Sequence, residues 1–262
     1  MHKFNNDWLF YREKIDAISR NEKIIKKINK YFKDYKILSI ADLGCGTGSN
    51  YRYMYPKIKV KQKWDMIDIS FESIKEFKKI TANTNKIINI NYKKFDLIKD
   101  IKKFKFENYD LITGSAYLDI MPKKWFHEFK KQNLNTKVIY FSINYDGYFK
   151  FYPKHKDDEY VLQLFNKDQE SDKGIGKKAV GKNCSQIINK VFTKTHKTFV
   201  LNSNWNVSKN KMFQDMFINF CENVIKKNKI SLEPWIKFRR ENIRLNKSKL
   251  LLRNKDFLAL KL

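Results

Sequence analysis

The residues best placed to do chemistry lie in Asp42-Leu43-Gly44-Cys45-Gly46-Thr47-Gly48. Glycine at 44, 46 and 48 lets the backbone take dihedrals closed to other residues and come close to a ligand. The spacing is G-x-G-x-G, not the G-x-G-x-x-G with which dinucleotide folds hold a pyrophosphate. Asp42 would repel a pyrophosphate and suits a ligand carrying a positive amino or sulfonium group. Three more stretches follow. Met66-Ile67-Asp68-Ile69 offers a carboxylate able to accept both hydroxyls of a ribose. Phe95-Asp96-Leu97 offers an Asp for an adenine amino group, with its apolar neighbour Leu97 packed on the ring. Thr113-Gly114-Ser115-Ala116-Tyr117 offers small residues where a reactive group needs clearance. An Asp at a strand end commonly caps a turn, but four such pieces in order point to one nucleoside site.

The elements around these pieces alternate. Residues 1–36 read as helical, from the spacing of Trp8, Leu9, Ile15, Ile18, Ile24, Ile25 and Ile28. Strands are predicted at 36–42, 64–69, 86–91, 109–115 and 137–143. Between them come a short helix ending at Pro56, a helix over 70–80 capped by Ser70, a helical stretch at 100–104 and a helix over 122–131. Strand–helix alternation means a parallel sheet covered on both faces. The second half is less regular. Helices are expected at 157–167, 184–196, from 210 onward and at 232–246. Residues 168–182 form a loop long enough to be functional. Residues 197–207 read as a strand, and 250–252 with 257–260 as a closing pair.

Composition narrows the class. Lys+Arg is 55 and Asp+Glu 28, a net charge of +27, yet only seven of the basic residues are Arg. Lys spread along the chain, with abundant Asn and Ile, reads as compositional drift more than as a nucleic-acid footprint. An aromatic content of 15% excludes a disordered polycation. No apolar run is long enough to span a membrane, and the first ten residues lack a signal-peptide core. Three widely separated cysteines (Cys45, Cys184, Cys221) suggest reduced thiols in a cytoplasmic protein. No cluster of His, Cys and carboxylates has metal-ligand spacing.

The glycine segment resembles the first motif of the class I S-adenosylmethionine-dependent methyltransferases. Asp68 and Asp96 fall where that superfamily places its ribose and adenine contacts. The likeness extends over nearly the whole chain to an uncharacterised bacterial group within the superfamily. It is carried by Trp8-Leu9 with Arg12, Asp16 and Arg20, by Gly48-Ser49-Asn50, and by Ser115-Ala116-Tyr117-Leu118-Asp119 followed by Trp125. Tyr145-Asp146-Gly147, Phe165-Asn166, Gln169, Asp172-Lys173-Gly174 and Gly176 complete it. Where the group carries His-Gln, this chain has Asp168-Gln169. The resemblance implies an α/β fold, Rossmann-like and doubly wound. The expected sheet is mostly parallel and seven-stranded, with helices on both faces and an antiparallel C-terminal strand. It further implies one methyltransferase domain over 1–262. Within it, 1–36 form a helical cover, 37–147 the cofactor-binding half and 148–262 the substrate-side, sheet-completing half.

S-adenosylmethionine is then the cofactor and S-adenosylhomocysteine its product. The expected cofactor-binding residues are Asp42, Gly44, Cys45, Gly46, Gly48, Asn50, Asp68, Ile69, Asp96, Leu97 and Ser115, with Arg12 facing the methionine carboxylate. Candidates for a general base or for positioning the acceptor lie past the fourth and fifth strands: Tyr117, Asp119 and Tyr145. Asp119 has a second reading as cap of the helix near Pro122, and Tyr145 as a packed aromatic. Trp8, Asp146, Gln169, Asp172 and Lys173 are expected to face the substrate, the last three on a loop that could act as a lid. The leading expectation is methyl transfer to an O or N atom of a small-molecule metabolite. RNA methylation is the alternative, and a non-catalytic cofactor-binding protein a third. Against RNA, the Asn/Asp-Pro-Pro-Tyr motif of base amino methylation and the Pro-Cys pair of a cytosine nucleophile are both missing.

Overall fold

Alternate residues along each strand serve opposite faces of one sheet, and the chain supplies apolar side chains for both. The computed structural model describes residues 6–81, 90–174 and 176–262. In β1 (Ile37–Leu43), Leu38 and Ile40 enter one core while Ala41 and Leu43 enter another. β2 (Lys61–Asp68), β3 (Ile90–Lys94), β4 (Leu111–Ser115) and β5 (Val138–Tyr152) run parallel to it. β6 (His196–Asn202) and β7 (Trp205–Val207) both pair antiparallel with β8 (Lys249–Lys261), which itself lies antiparallel to β5. The order is β3-β2-β1-β4-β5-β8-β6, a mostly parallel path of seven strands. The expected sheet is therefore present, with β7 as an eighth, short strand off the path.

The helices are α1 (Asn6–Ser19), α2 (Glu22–Tyr31), α3 (Ser49–Met54), α4 (Phe71–Thr81), α5 (Lys123–Gln132), α6 (Asp158–Gln169), α7 (Cys184–Phe192), α8 (Lys211–Lys227) and α9 (Glu233–Arg244). α2, α3 and α4 pack Ile24, Ile28, Tyr51, Met54 and Phe77 on one face of the sheet. α5 and α7 pack Trp125, Phe126, Phe129, Ile188 and Phe192 on the other. A third core joins α1, α6, α8 and α9 to the far half of β5 and the near half of β8, through Trp8, Phe149, Phe217 and Trp235. There Asp158 accepts hydrogen bonds from Trp235 Nε1 (2.8 Å) and from the fully buried guanidinium of Arg239.

Several elements differ from the sequence reading. The closing pair of strands is one continuous strand, β8. Arg253-Asn254-Lys255-Asp256 has the composition of a turn, but its residues alternate in burial, and Asp256 is fully buried. Asp256 accepts the backbone N–H of Ile143 (2.9 Å) and of Asn21 (3.0 Å). Irregularities between Phe141 and Asn144, and again before Phe149, let β5 bend and run on past 143. The predicted strand 86–91 falls mostly outside the described residues; β3 is seen from Ile90. The 197–207 strand divides into β6 and β7. α6 continues through Gln169, so the loop begins later than expected, and bridges from Pro122 to Ala179 and Asp172 to Lys178 pin it. Ser70 caps α4 as expected, its Oγ accepting the Ser73 amide (3.2 Å). No described helix is long and apolar enough to cross a membrane.

Candidate active site

β1 ends beside β2 and β4, and the chain turns back through the glycine segment into α3. Gly44, Gly46 and Gly48 all have positive φ, at 65°, 51° and 84°. A Cβ on Gly44 would lie 2.5 Å from the Tyr117 ring, and one on Gly48 2.4 Å from the Phe77 ring. A Cβ on Gly46 would meet nothing within 4 Å. The outer glycines thus admit the rings that support the turn, while the middle one borders open space where a ligand can rest on bare backbone. The turn is tied to β2: Cys45 N donates to Ile67 O (3.0 Å) and Gly46 N to Asp68 Oδ2 (2.8 Å). Asp68 Oδ1 accepts from Ser70 N (2.8 Å). Burial raises the Asp68 carboxyl, opposed by these backbone donors. Each oxygen keeps a lone pair for a further donor.

Beneath the turn lies a buried polar chain. Asn50 Nδ2 donates to Asp42 Oδ1 (2.7 Å) and Thr113 Oγ1 (3.2 Å). Arg20, at the end of α1, donates to Asn50 Oδ1 (2.6 Å) and Ser115 Oγ (3.0 Å). Asp42 is fully buried and its Oδ2 has no partner. Burial pushes its carboxyl up to about 7, against the Asn50 hydrogen bond and the Arg20 charge. α1 grips the turn a second time. Glu13 accepts from Arg52 Nε (2.7 Å) and NH2 (2.6 Å), while Arg52 NH1 donates to Thr47 O (2.6 Å).

The third and fourth strand ends complete the crevice. Asp96 Oδ1 caps a turn by accepting Ile98 N and Lys99 N, both at 3.0 Å. Leu97 is buried, and its carbonyl accepts from Trp125 Nε1 (3.0 Å). Ala116 takes a left-handed φ of 50°, which costs a non-glycine residue energy. The chain then carries Tyr117 back against Gly44. Burial raises the Tyr117 phenol, and the charges of Asp68 and Asp96 raise it further. Ile69, beside Asp68, is half-buried.

On the far side stand the residues expected to face a substrate. Asp119 lies in a short 3-10 turn (Leu118–Ile120). Pro122 begins α5 without a side-chain cap, so Asp119 is not that helix's cap. Tyr145 is buried in β5, and its hydroxyl donates to Asn166 Oδ1 (2.9 Å). Burial raises its phenol as well. Asp146 turns toward Arg253 (3.6 Å) and Lys255 (3.8 Å). Lys173 Nζ donates to Asp168 O (2.6 Å) and Oδ2 (2.9 Å), and Lys227 to Asp168 Oδ1 (2.7 Å). Burial alone would raise Asp168, but hydrogen bonds from Lys227 and Lys173 bring it below the usual range. Asp172 Oδ1 accepts from Gly174 N (2.9 Å), and Gln169 is half-buried at the end of α6. Arg12 Nε donates to Asp16 Oδ2 (2.9 Å), with its guanidinium over the rings of Trp205 and Trp8. Trp8 itself stacks on Phe213 in the third core.

The structure thus gathers Asp42, Asn50 and Ser115 in one network. It sets Asp68 and Tyr117 against the glycine turn, and brings the charges of Arg12 and Lys173 to bear on Asp119. Arg20 entered the sequence reading only as a shared trait, and Thr113 only as one of the small residues ending the fourth strand; Glu13 and Arg52 did not enter it. No local pattern marks them, because their partners stand 5 to 95 positions away.

Residues 40–132 match the family model described as a methyltransferase domain. That stretch runs from β1 through α5 and contains the glycine turn. These residues accordingly carry a methyltransferase domain. No curated protein matches the chain. A cyclopropane-fatty-acyl-phospholipid synthase-like protein from Lactobacillus casei has a similar structure (TM-score 0.58, 10% identity, 95% of this chain and 91% of that one covered). The YcgJ protein of Bacillus subtilis is also similar (TM-score 0.56, 10% identity, 92% and 99% covered). At such identity the likeness shows the fold alone.

Proposed function

We propose that this chain is a class I S-adenosylmethionine-dependent methyltransferase acting on a small-molecule metabolite, methylating an O or N atom. One observation carries the choice of a small molecule. Arg12 and Lys173, the cations whose charges act on Asp119, are each already held by a carboxylate, Asp16 and Asp168. A nucleic-acid strand needs cations free to meet its phosphates. RNA methylation remains the second reading, supported by the surplus of +27.

In this reading residues 1–262 act as one methyltransferase domain. Residues 1–36 cover the cofactor, 37–147 bind it, and 148–262 form the substrate side. Asp42, Gly44, Cys45, Gly46, Gly48, Asn50, Asp68, Ile69, Asp96, Leu97 and Ser115 build the cofactor site, with Arg12 toward the methionine carboxylate. The open space at Gly46 and the unpartnered Asp42 Oδ2 fit a cationic nucleoside lying on bare backbone. When bound, S-adenosylmethionine supplies an activated methyl group. The chain's task is to orient the acceptor and exclude water. In this reading Asp119 takes a proton, Tyr117, held protonated by burial, serves as wall and hydrogen-bond donor, and Tyr145, whose hydroxyl hydrogen goes to Asn166, serves as a wall. Three buried, unpaired cysteines support a cytoplasmic setting.

The test is calorimetry with S-adenosylmethionine and S-adenosylhomocysteine, followed by a metabolite screen for S-adenosylhomocysteine release. Asp68→Ala should weaken cofactor binding by about 1–3 kcal/mol through the lost ribose contacts. An unchanged Kd removes Asp68 from the site. Binding of RNA with a steep salt slope, and methyl incorporation into it, would favour the second reading.

A further inference from the structure

One carboxylate on the acceptor side has no counter-charge of its own. Asp119 Oδ1 is shut off from solvent and has no hydrogen-bond partner, while the residue as a whole keeps some exposure. Among the described residues, the cations whose fields reach it are Arg12, on α1, and Lys173, on the loop after α6. Both are committed elsewhere. Arg12 is paired with Asp16 and laid over aromatic rings; Lys173 is bound to Asp168 at two oxygens. The neighbouring groups do not answer Asp119 either. Tyr145 gives its hydroxyl hydrogen to Asn166, the Cys184 thiol points to Tyr145 O (3.8 Å), and Asp146 faces Arg253 and Lys255.

We propose that Asp119 anchors a cationic acceptor, so that the substrate of this enzyme is an amine entering as its ammonium ion. This deepens, and rests on, the methyltransferase reading above. Asp119 has its own backbone N–H as a donor, but its other oxygen is unanswered; a buried carboxylate so placed is costly, and an ammonium brings both the missing charge and three donors. A hydroxyl acceptor brings a donor but no charge. A carboxylate or phosphate acceptor would be repelled. Once bound, the ammonium passes one proton to Asp119. The acceptor becomes a neutral amine with a free lone pair, and Asp119 a neutral carboxylic acid. Burial favours that second state, since it raises the Asp119 carboxyl.

The test uses the full chain saturated with S-adenosylhomocysteine and two pairs of probes of equal shape: benzylammonium against benzyl alcohol, and 2-phenylethylammonium against 2-phenylethanol. Kd is read by calorimetry. In at least one pair the ammonium should bind about tenfold or more tightly than the alcohol, the scale of one charge-assisted contact. Asp119→Asn, and separately Asp119→Ala, should erase the difference while S-adenosylhomocysteine still binds with its original Kd. Equal binding within both pairs, preference surviving in both variants, or no ammonium binding at all overturns the proposal. Failure of S-adenosylhomocysteine itself to bind is a separate result, and it sinks the methyltransferase site on which the proposal stands.

Discussion

Asp42→Asn tests the electrostatics under the glycine turn most directly. Asp42 is fully buried with one unpartnered oxygen, and burial lifts its carboxyl from 3.8 to about 7. A carboxyl raised on folding binds its proton more tightly in the folded chain than in the unfolded one. Its contribution is therefore favourable at low pH and lost as pH climbs from about 4 to about 7. The gap between 3.8 and about 7 corresponds to a loss on the order of 4 kcal/mol across that window. Asparagine carries no charge, so the variant lacks this slope, but its amide leaves buried donors unmet at roughly 1–3 kcal/mol. The two stability curves should cross. The variant should be the weaker protein at pH 4 and the stronger by about 1–3 kcal/mol at pH 8. Urea unfolding of both proteins from pH 4 to pH 8, without cofactor, measures the difference, in which other titrating groups cancel. S-adenosylmethionine should then stabilise the wild type more than the variant, because its positive charge answers the carboxylate. Parallel curves would refute the claim that burial raises the Asp42 carboxyl. Equal stabilisation by the cofactor would refute its part in binding.

Glu13→Gln should weaken the hold of α1 on Arg52. Since that pair is partly exposed, a modest two- to fivefold rise in the S-adenosylmethionine Kd is expected, by calorimetry. Gly48→Ala puts a Cβ against the Phe77 ring at a φ of 84° and should cost about 2 kcal/mol or more in chemical denaturation. An unchanged midpoint would mean the turn has room to relax. Asp158→Asn strips the buried Arg239 of its counter-charge and should cost about 3–5 kcal/mol of stability. Cofactor affinity of the folded variant should be unaffected, because the pair belongs to the third core and not to the turn.

The glycine turn and the parallel strands around it were legible in the sequence because their signals are local. A glycine turn, a strand end and the acid following it occupy neighbouring positions, and the alternation of strands with helices forces those ends to one edge of a parallel sheet. The parallel β3-β2-β1-β4-β5 part of the sheet follows from the same alternation, while the seven-strand count came from the family resemblance. β8 was not legible as one strand. Its polar middle reads as a turn until Asp256 is seen to satisfy the amide of Ile143, a need created by the bend in β5. Asp68 was picked out as a ligand-facing carboxylate, but nothing in its neighbourhood shows that it also ties the glycine turn to β2 through the Gly46 amide.

What the residues determined alone is the type of crevice: bare backbone beside carboxylates at successive strand ends, a consequence of short-range order along the chain. What only the tertiary structure decided is which charges remain unanswered there. Arg20 reaches Asn50 and Ser115 across 30 and 95 positions, and Asp16 and Asp168 take up Arg12 and Lys173. Such pairing depends on distance in space, because the energy of a buried charge is set by its nearest partner and not by its neighbour in sequence.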